Sequence, residues 1–175
     1  MLVPLSTKQS DLYLDLQFLA AAQTLEALAC SDRDIKAMGD EEFDSCLKLV
    51  RSSISDKETR EWACNRLQNG NRKGQRRLLG DLYDEVGEFA SQIFPNKKQF
   101  IGRHVMMRNG VAHRNPDAMI IDHTQLFYHT NGVIVLCHAT AMKKIGISES
   151  KIVELMRDSR FRVFLIEKAA SLYPV

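Results

Sequence analysis

Three side chains of kinds that can cleave a phosphodiester lie close together between Met107 and Pro116. They are Arg108, Asn109 and His113. An imidazole, whose unperturbed pKa is about 6.5, can move protons near neutral pH. A guanidinium can hold a phosphate with a planar pair of N–H donors and stabilise the charge that develops on its oxygens. Because an amide can orient the imidazole or a ribose hydroxyl, the three types together predict metal-free cleavage of RNA.

The spacing of these residues leaves two interpretations open. Asn109 and His113 are four residues apart and share a helix face, whereas Arg108 and His113 diverge by about 140° on an ideal helix. Arg108 must then reach around the helix, or the last turn must be distorted at Gly110. The alternative is that His113 helps to end a helix and Arg108 makes a structural ion pair. Spacing alone does not decide between them.

The positive charge of the chain is concentrated in two stretches without acidic residues. Residues 62–80 and residues 89–116 carry five lysines and arginines each, and the acidic segment 81–88 separates them. If the fold brings these stretches together, they can bind a polyanion. The alternative is that they form ordinary solvated helix faces and a flexible surface loop at residues 69–74.

Hydrophobic spacing is helical almost everywhere, and no run alternates apolar with polar residues. The sequence therefore predicts an all-α bundle of about six or seven helices with no sheet, in a single domain over residues 1–175. Ser10, Asn96 and Asp122 are predicted helix caps, and Ser55–Glu58 has the form of a capping box. The predicted helices cover residues 11–30, 40–51, 55–67, 76–94, 96 to before Pro116, 122–146 and 148–173.

The composition excludes several classes of protein. With 45% hydrophobic and 26% charged residues, the chain is expected to fold rather than to be disordered. No apolar run reaches the roughly 20 residues that cross a bilayer, and no secretory signal is evident, so we expect a cytoplasmic protein. The four cysteines lack metal-binding spacing, which predicts reduced, mostly buried thiols, no metal site and no cofactor.

The motif and the first helix resemble those of a known family. Arg108, Asn109 and His113 match the R-N-x-x-x-H form of the R-x4-6-H signature of HEPN domains, a family of α-helical proteins that includes many RNases. The first helix, over residues 13–28, is similar to the opening F-L-x-x-x-Q-x-L-E helix of ApeA-like HEPN domains. A long helix that ends at residues 144–148 follows the motif, as in that subgroup.

This resemblance implies that Arg108 and His113 are catalytic, that Asn109 supports them and that no metal is required. HEPN domains commonly form homodimers in which two motifs face each other across a cleft. The implied reaction is attack of a ribose 2′-hydroxyl on the adjacent phosphate, which leaves a 2′,3′-cyclic phosphate. The protein would contact flanking RNA phosphates without recognising the base sequence. The residues expected to contact RNA are Arg72, Lys73, Arg76, Arg77, Lys97, Lys98, Arg103, His104 and Arg114.

Three functional interpretations follow. The first is a homodimeric endoribonuclease that acts on RNA, with tRNA among the candidate substrates, in phage defence or as a toxin. The second is a catalytically idle HEPN module that dimerises or binds RNA or a nucleotide. The third is a fragment of a larger effector that carries other domains.

Overall fold

The computed structural model describes residues 5–31, 35–68, 70–113 and 122–174. Within these ranges the backbone forms nine helices and no strand, which confirms the all-α prediction. None of the described helices is long and apolar enough to cross a membrane. The helices are α1 (Leu5–Cys30), α2 (Asp40–Ser53), α3 (Lys57–Leu67), α4 (Gln75–Val86), α5 (Glu88–Ile93), α6 (Lys97–His113), α7 (His123–Lys144), α8 (Glu149–Arg157) and α9 (Arg160–Ser171).

Helices α1 and α7 organise the bundle. α1 packs against α4, α6 and α7, while α7 also packs against α5, α8 and α9. Apolar residues at three- and four-residue spacing face inward, and Leu25, Phe89, Phe94 and Leu136 have no solvent exposure. Each such side chain contributes about 1.5–3 kcal/mol when it is fully buried. This packing fixes α6, the helix that carries the motif, against α1 and α4.

The single helix predicted over residues 76–94 is wrong, because the chain breaks at Gly87. Gly87 has a φ of 77°, which ends α4 and starts α5. The backbone N–H of Glu88 donates to Glu149 Oε1 at 2.7 Å. A Cβ at Gly87 would lie 2.9 Å from the same oxygen. The positive φ favours glycine at this position, whereas the Glu149 carboxylate is the end of a flexible side chain and could move away from a Cβ.

The single helix predicted over residues 148–173 is also split, at Asp158 and Ser159. Ser159 is the N-cap of α9, and its side chain accepts a hydrogen bond from the backbone N–H of Arg162. These two breaks account for the difference between the seven predicted helices and the nine that the described residues form. In both cases the apolar periodicity continues across the break, so periodicity does not reveal it.

Two predicted helix caps are confirmed, and in each the capping side chain bonds an N–H group two or three residues further along the chain. Asn96 accepts from the N–H of Gln99, and Asp122 accepts from that of Thr124, as predicted. Two starts differ. α1 is already helical at Leu5, so its predicted start at Ser10 is wrong. The cap of α3 is Asp56 rather than Ser55, because the Asp56 carboxylate accepts from Thr59 N–H, a bond that lowers the pKa of that carboxyl group.

Helices α2 and α3 form a hairpin in which neither helix buries a side chain. The loop that follows α3 was expected to be flexible, but side-chain hydrogen bonds anchor it. Asn71 Oδ1 accepts from the N–H groups of Ala37 and Met38, and Asn71 Nδ2 donates to the Met38 carbonyl. The base of the hairpin is therefore closed, and the segment that leads into α4 is held in place.

The prediction of mostly buried cysteines is wrong. Cys137 is buried, Cys64 is half-buried, and Cys30 and Cys46 are exposed. Burial raises the pKa of the Cys137 thiol to about 12. No disulfide links the four residues.

Candidate active site

The C-terminal half of α6 is fixed by packing on the side opposite to solvent. Met107 is fully buried in a small apolar cluster with Phe18, Ala22 and Leu126. Gly110 is also buried, so the backbone of α6 lies close to its neighbours there. Arg108 therefore projects from a rigid segment, with its side chain 33% exposed.

The guanidinium of Arg108 is held through its Nε edge. Arg108 Nε–H donates to Glu26 Oε1 on α1 at 3.0 Å, and the Glu26 side chain is 27% exposed. The same oxygen accepts from Gln75 Nε2, at the start of α4, at 2.5 Å. Three helices thus meet at one carboxylate oxygen. This contact is the structural ion pair predicted as the alternative to a catalytic role for Arg108.

The outer nitrogens of Arg108 are less engaged than Nε. Nη1 donates a long hydrogen bond of 3.4 Å to Asn109 Oδ1, and Nη2 has no partner among the described residues. Asn109 is exposed. An arginine that pairs with a carboxylate through Nε alone can still bind two oxygens of a phosphate with its terminal nitrogens.

His113 is the last residue of α6, and its side chain lies outside the described part of the structure. The backbone is α-helical from Lys97 through Gly110 to His113, so the distortion considered at Gly110 is not observed. The backbone positions of Arg108 and His113 therefore remain about 140° apart around the helix axis.

A pocket of about 240 Å³ opens beside Arg108, between α1, α4 and α6. Its polar wall is formed by Glu26, Gln75 and Arg108, and Cys30 also lines it. The apolar part of the wall consists of Ala29, Leu78 and Leu79.

The first basic stretch lies at the same end of the bundle as Arg108. Gln75 reaches Arg108 through Glu26, and Arg76 and Arg77 follow it directly in α4. Arg72, Arg76 and Arg77 are exposed. Lys73 forms an ion pair with Asp81 at 2.9 Å, which neutralises part of this stretch.

The second basic stretch is more dispersed. Lys97 pairs with Asp84 at 2.6 Å and lies over the Tyr83 ring, which places the start of α6 beside the later half of α4. Lys97 and the exposed Lys98 are thus about 16 Å along α6 from Arg108, at 1.5 Å per residue. Arg103 donates to Gln125 and lies over the Tyr173 ring. Arg114 falls outside the described residues.

The structure contradicts the prediction that His104 contacts RNA. Its ring has no solvent exposure, and His104 Nδ1 lies 3.1 Å from His129 Nε2. His129 Nδ1 lies 2.6 Å from the Tyr173 hydroxyl. Burial, together with the charge of Arg108, lowers the pKa of His104 to about 4. His104 faces the core because it lies one turn after the buried Phe100, on the same face of α6.

Comparison with known families connects this geometry to a class of proteins. A family model described as Apea-like HEPN matches residues 19–151, well over half of the chain. The chain belongs to the Apea-like HEPN family. Comparisons with curated proteins and with solved structures give no significant match. Membership of the HEPN family indicates a nuclease or RNA-related function.

Two residues beside the HEPN motif were not assigned a role from the sequence. Glu26 is the last position of the opening-helix pattern quoted above, and that pattern was the one signal that could have drawn attention to it. Gln75, the first residue of α4, carries no local signal of a role. Both fall inside the matched HEPN region.

The HEPN chain shows no candidate metal centre in the ranges that the structure describes, where no three histidine, cysteine, aspartate or glutamate side chains are grouped to hold an ion.

Proposed function

We propose that this HEPN protein is a metal-independent endoribonuclease. The observation that carries the proposal is the state of Arg108: its Nε is held by Glu26, and its partly exposed side chain lines an open pocket beside the helix that carries the R-N-x-x-x-H motif. A guanidinium held in this way is pre-oriented for a phosphate, which lowers the cost of ordering it during the reaction.

The proposed reaction forms a bond between the ribose 2′-oxygen and the adjacent phosphorus and breaks the bond from phosphorus to the 5′-oxygen. The products are a 2′,3′-cyclic phosphate and a free 5′-hydroxyl. His113 moves the proton, and Arg108 stabilises the charge on the phosphate oxygens. Asn109, which already contacts Nη1 of Arg108, supports the position of the guanidinium.

The proposed active species is a homodimer. Because α6 is helical through Gly110, Arg108 and His113 of one protomer diverge by about 140°. A second copy related by a two-fold axis can place its histidine opposite the arginine of the first.

RNA is the proposed partner, with tRNA among the candidate substrates and a role in phage defence or as a toxin. Arg72, Arg76 and Arg77, which are exposed at the Arg108 end of the bundle, are the proposed primary phosphate contacts. Lys73 and Lys97 are weaker candidates, because each already pairs with a carboxylate that offsets its charge. Lys98, Arg103 and Arg114 remain secondary candidates, and His104 is no longer one.

The test is an RNA cleavage assay with purified protein, total RNA and tRNA, with and without EDTA. We expect cleavage that survives chelation and falls at least about a hundredfold in Arg108→Ala and in His113→Ala. Arg160→Ala and His138→Ala are matched controls, because both residues are exposed and lie on other helices. Mass spectrometry of the products should identify 2′,3′-cyclic phosphate ends. Activity retained by both motif variants, or abolished by EDTA, contradicts the mechanism.

The second candidate function is a catalytically idle module that dimerises or binds RNA or a nucleotide. The Glu26 ion pair favours it, since Arg108 already has a structural partner. In that case Arg108→Ala changes stability or RNA affinity while the wild-type protein cleaves nothing. The same assay, combined with an RNA-binding measurement, separates the two candidates.

A further inference from the structure

We propose that the pocket beside Arg108 is a subsite for one nucleobase of the RNA, adjacent to the phosphate that is cleaved, and that it prefers a base with an exocyclic amino group. The inference rests on the proposed function. It adds to that function a base preference that neither the motif nor the family assigns.

The size and walls of the pocket suit a single planar base. Its volume of about 240 Å³ is below the range of about 300–1,000 Å³ that is usual for larger ligands. Ala29, Leu78 and Leu79 supply an apolar surface against which the face of a heterocycle can pack. Unpaired RNA bases are commonly held in this way, with the ring against apolar or aromatic side chains and its edge on polar groups.

The polar edge of the pocket offers acceptors. Glu26 Oε1 accepts from both Arg108 and Gln75, and Glu26 Oε2 has no partner among the described residues. Gln75 uses its Nε2 to reach Glu26, which leaves its carbonyl oxygen able to accept. Adenine, cytosine and guanine present an exocyclic amino group to such an edge. Uracil instead presents carbonyl oxygens on both sides of its one N–H, and a carboxylate repels them.

The position of the pocket links the base to the reaction. The guanidinium of Arg108 is part of the same wall as Glu26 and Gln75. A phosphate bound by the outer nitrogens of Arg108 therefore brings a nucleotide of the same strand to the pocket entrance. Depending on strand direction, this base is the one on the 5′ or on the 3′ side of the cleaved linkage.

The experiment uses DNA oligonucleotides that contain one ribonucleotide, because a single 2′-hydroxyl fixes the cleaved linkage. One set of oligonucleotides varies the base of the ribonucleotide, and a second set varies the base of the nucleotide that follows it. We expect kcat/KM to be about tenfold higher for amino-bearing bases than for uracil at one of these positions. Equal cleavage of all four bases at both positions overturns the proposal.

Pocket variants connect the preference to this place on the surface. Cys30 lines the pocket and is exposed, so Cys30→Phe should fill the space while leaving every motif residue in the chain, and Cys30→Ser should leave it open. Cys46→Phe, at an exposed cysteine on α2, controls for the added ring. The preference should disappear in Cys30→Phe, weaken in Gln75→Ala and persist in both controls. A preference that survives in Cys30→Phe overturns the proposal.

Failure of the proposed nuclease is distinguishable from failure of the subsite. If wild-type protein cleaves none of the oligonucleotides, the nuclease proposal fails. Base binding in the pocket is then tested by titrating AMP, CMP, GMP and UMP and following the methyl NMR signals of Ala29, Leu78 and Leu79. Saturable shifts that are weaker for UMP support base binding there, and absence of shifts overturns it. If a mononucleotide binds more tightly than a non-cleavable all-DNA strand of the same base, the occupant is a free nucleotide and the RNA subsite is refuted.

Discussion

The two interpretations of Arg108 are compatible at the level of its atoms. The ion pair with Glu26 uses Nε, whereas phosphate binding needs the terminal nitrogens. A partly exposed ion pair contributes little to stability, about 0–1 kcal/mol. The orientation that it gives to the guanidinium is therefore more consequential for chemistry than for folding.

This division of roles predicts that Glu26 positions Arg108. On an oligonucleotide with uracil beside the cleaved linkage, which lacks an amino group for Glu26 to accept, Glu26→Ala should lower kcat about tenfold with little change in KM. Misplacement of the guanidinium reduces stabilisation of the transition state more than it reduces RNA binding. The kcat of Glu26→Gln should lie between those of wild type and Glu26→Ala, since the glutamine carbonyl oxygen still accepts from Arg108 Nε. Steady-state kinetics with thermal denaturation as a folding control measure the effect.

A cycle with Arg108→Lys separates positioning from a general structural effect. Lysine has no Nε–H fork for Glu26 to orient. The loss caused by Glu26→Ala should therefore nearly vanish in the Arg108→Lys background. Equal losses in both backgrounds would show that Glu26 acts independently of Arg108.

The site residues that are close together in the sequence could be predicted, whereas those that are far apart in the sequence could not. Arg108, Asn109 and His113 fall within six residues, so their types and spacing identify them without knowledge of the fold. Glu26 is 82 residues from Arg108, and Gln75 is 49 residues from Glu26. No local pattern encodes that these three meet. The buried position of His104 likewise depends on His129 and Tyr173, which tertiary packing supplies.

At the scale of elements, a buried polar chain links the motif helix to the rest of the bundle. His104 on α6 contacts His129 on α7, which contacts Tyr173 just after α9. Phe18, Phe94 and Phe100 surround the two imidazoles. His104 Nε2 is buried with no hydrogen-bond partner among the described residues. Such a chain is stable only while both rings are neutral, because a charge there would be desolvated.

This chain predicts a loss of stability at acidic pH. Burial holds the pKa of His104 at about 4 and that of His129 well below its usual value, while the unfolded chain titrates near 6.5. The unfolded state therefore binds more protons as the pH falls below about 6.5. The free energy of unfolding should be fully retained above that pH and should fall by about 3 kcal/mol from His104 alone by pH 4.

Urea denaturation between pH 7.5 and 4 measures this effect. His104→Phe removes one of the two buried titrating rings and should reduce the pH dependence, even if its stability at pH 7.5 is lower. His138→Gln removes an exposed histidine and should leave the dependence unchanged. A pH dependence that is the same in wild type and His104→Phe would show that other groups cause it.

Element boundaries were predictable where their causes are local. The Asn96 and Asp122 caps involve residues two or three positions away and were identified correctly. The break at Gly87 is stabilised by Glu149, 61 residues from Glu88, and the apolar pattern gives no sign of it. Gly132 illustrates the same limit, since a Cβ there would lie 2.8 Å from Phe94 Cζ and 2.9 Å from Ala169 Cβ.

At the scale of the whole molecule, the antiparallel packing of α4 and α6 decides where the positive charge lies. Lys97 contacts α4 near Asp84, while Arg108 meets Gln75 at the start of α4 through Glu26. The sequence predicted the charges of both basic stretches but not their separation along the bundle. The stretch around Arg76 and Arg77 lies beside Arg108, whereas Lys97 and Lys98 lie at the other end of α6, which favours RNA entry from the Arg76 end.

The divergence of Arg108 and His113 around α6 leads to a prediction about the homodimer. If each active site takes its arginine from one protomer and its histidine from the other, Arg108→Ala and His113→Ala chains complement each other when they are mixed. Random exchange makes half of the dimers mixed, and each mixed dimer has one intact site out of two, so activity should recover to about a quarter of wild type. Mixing after brief partial unfolding and refolding, followed by the RNA cleavage assay, measures the recovery, and sedimentation verifies the dimer. Each variant refolded alone is the control. A dimer that exchanges subunits but recovers no activity would show that Arg108 and His113 act within one chain, or that both copies of each are required.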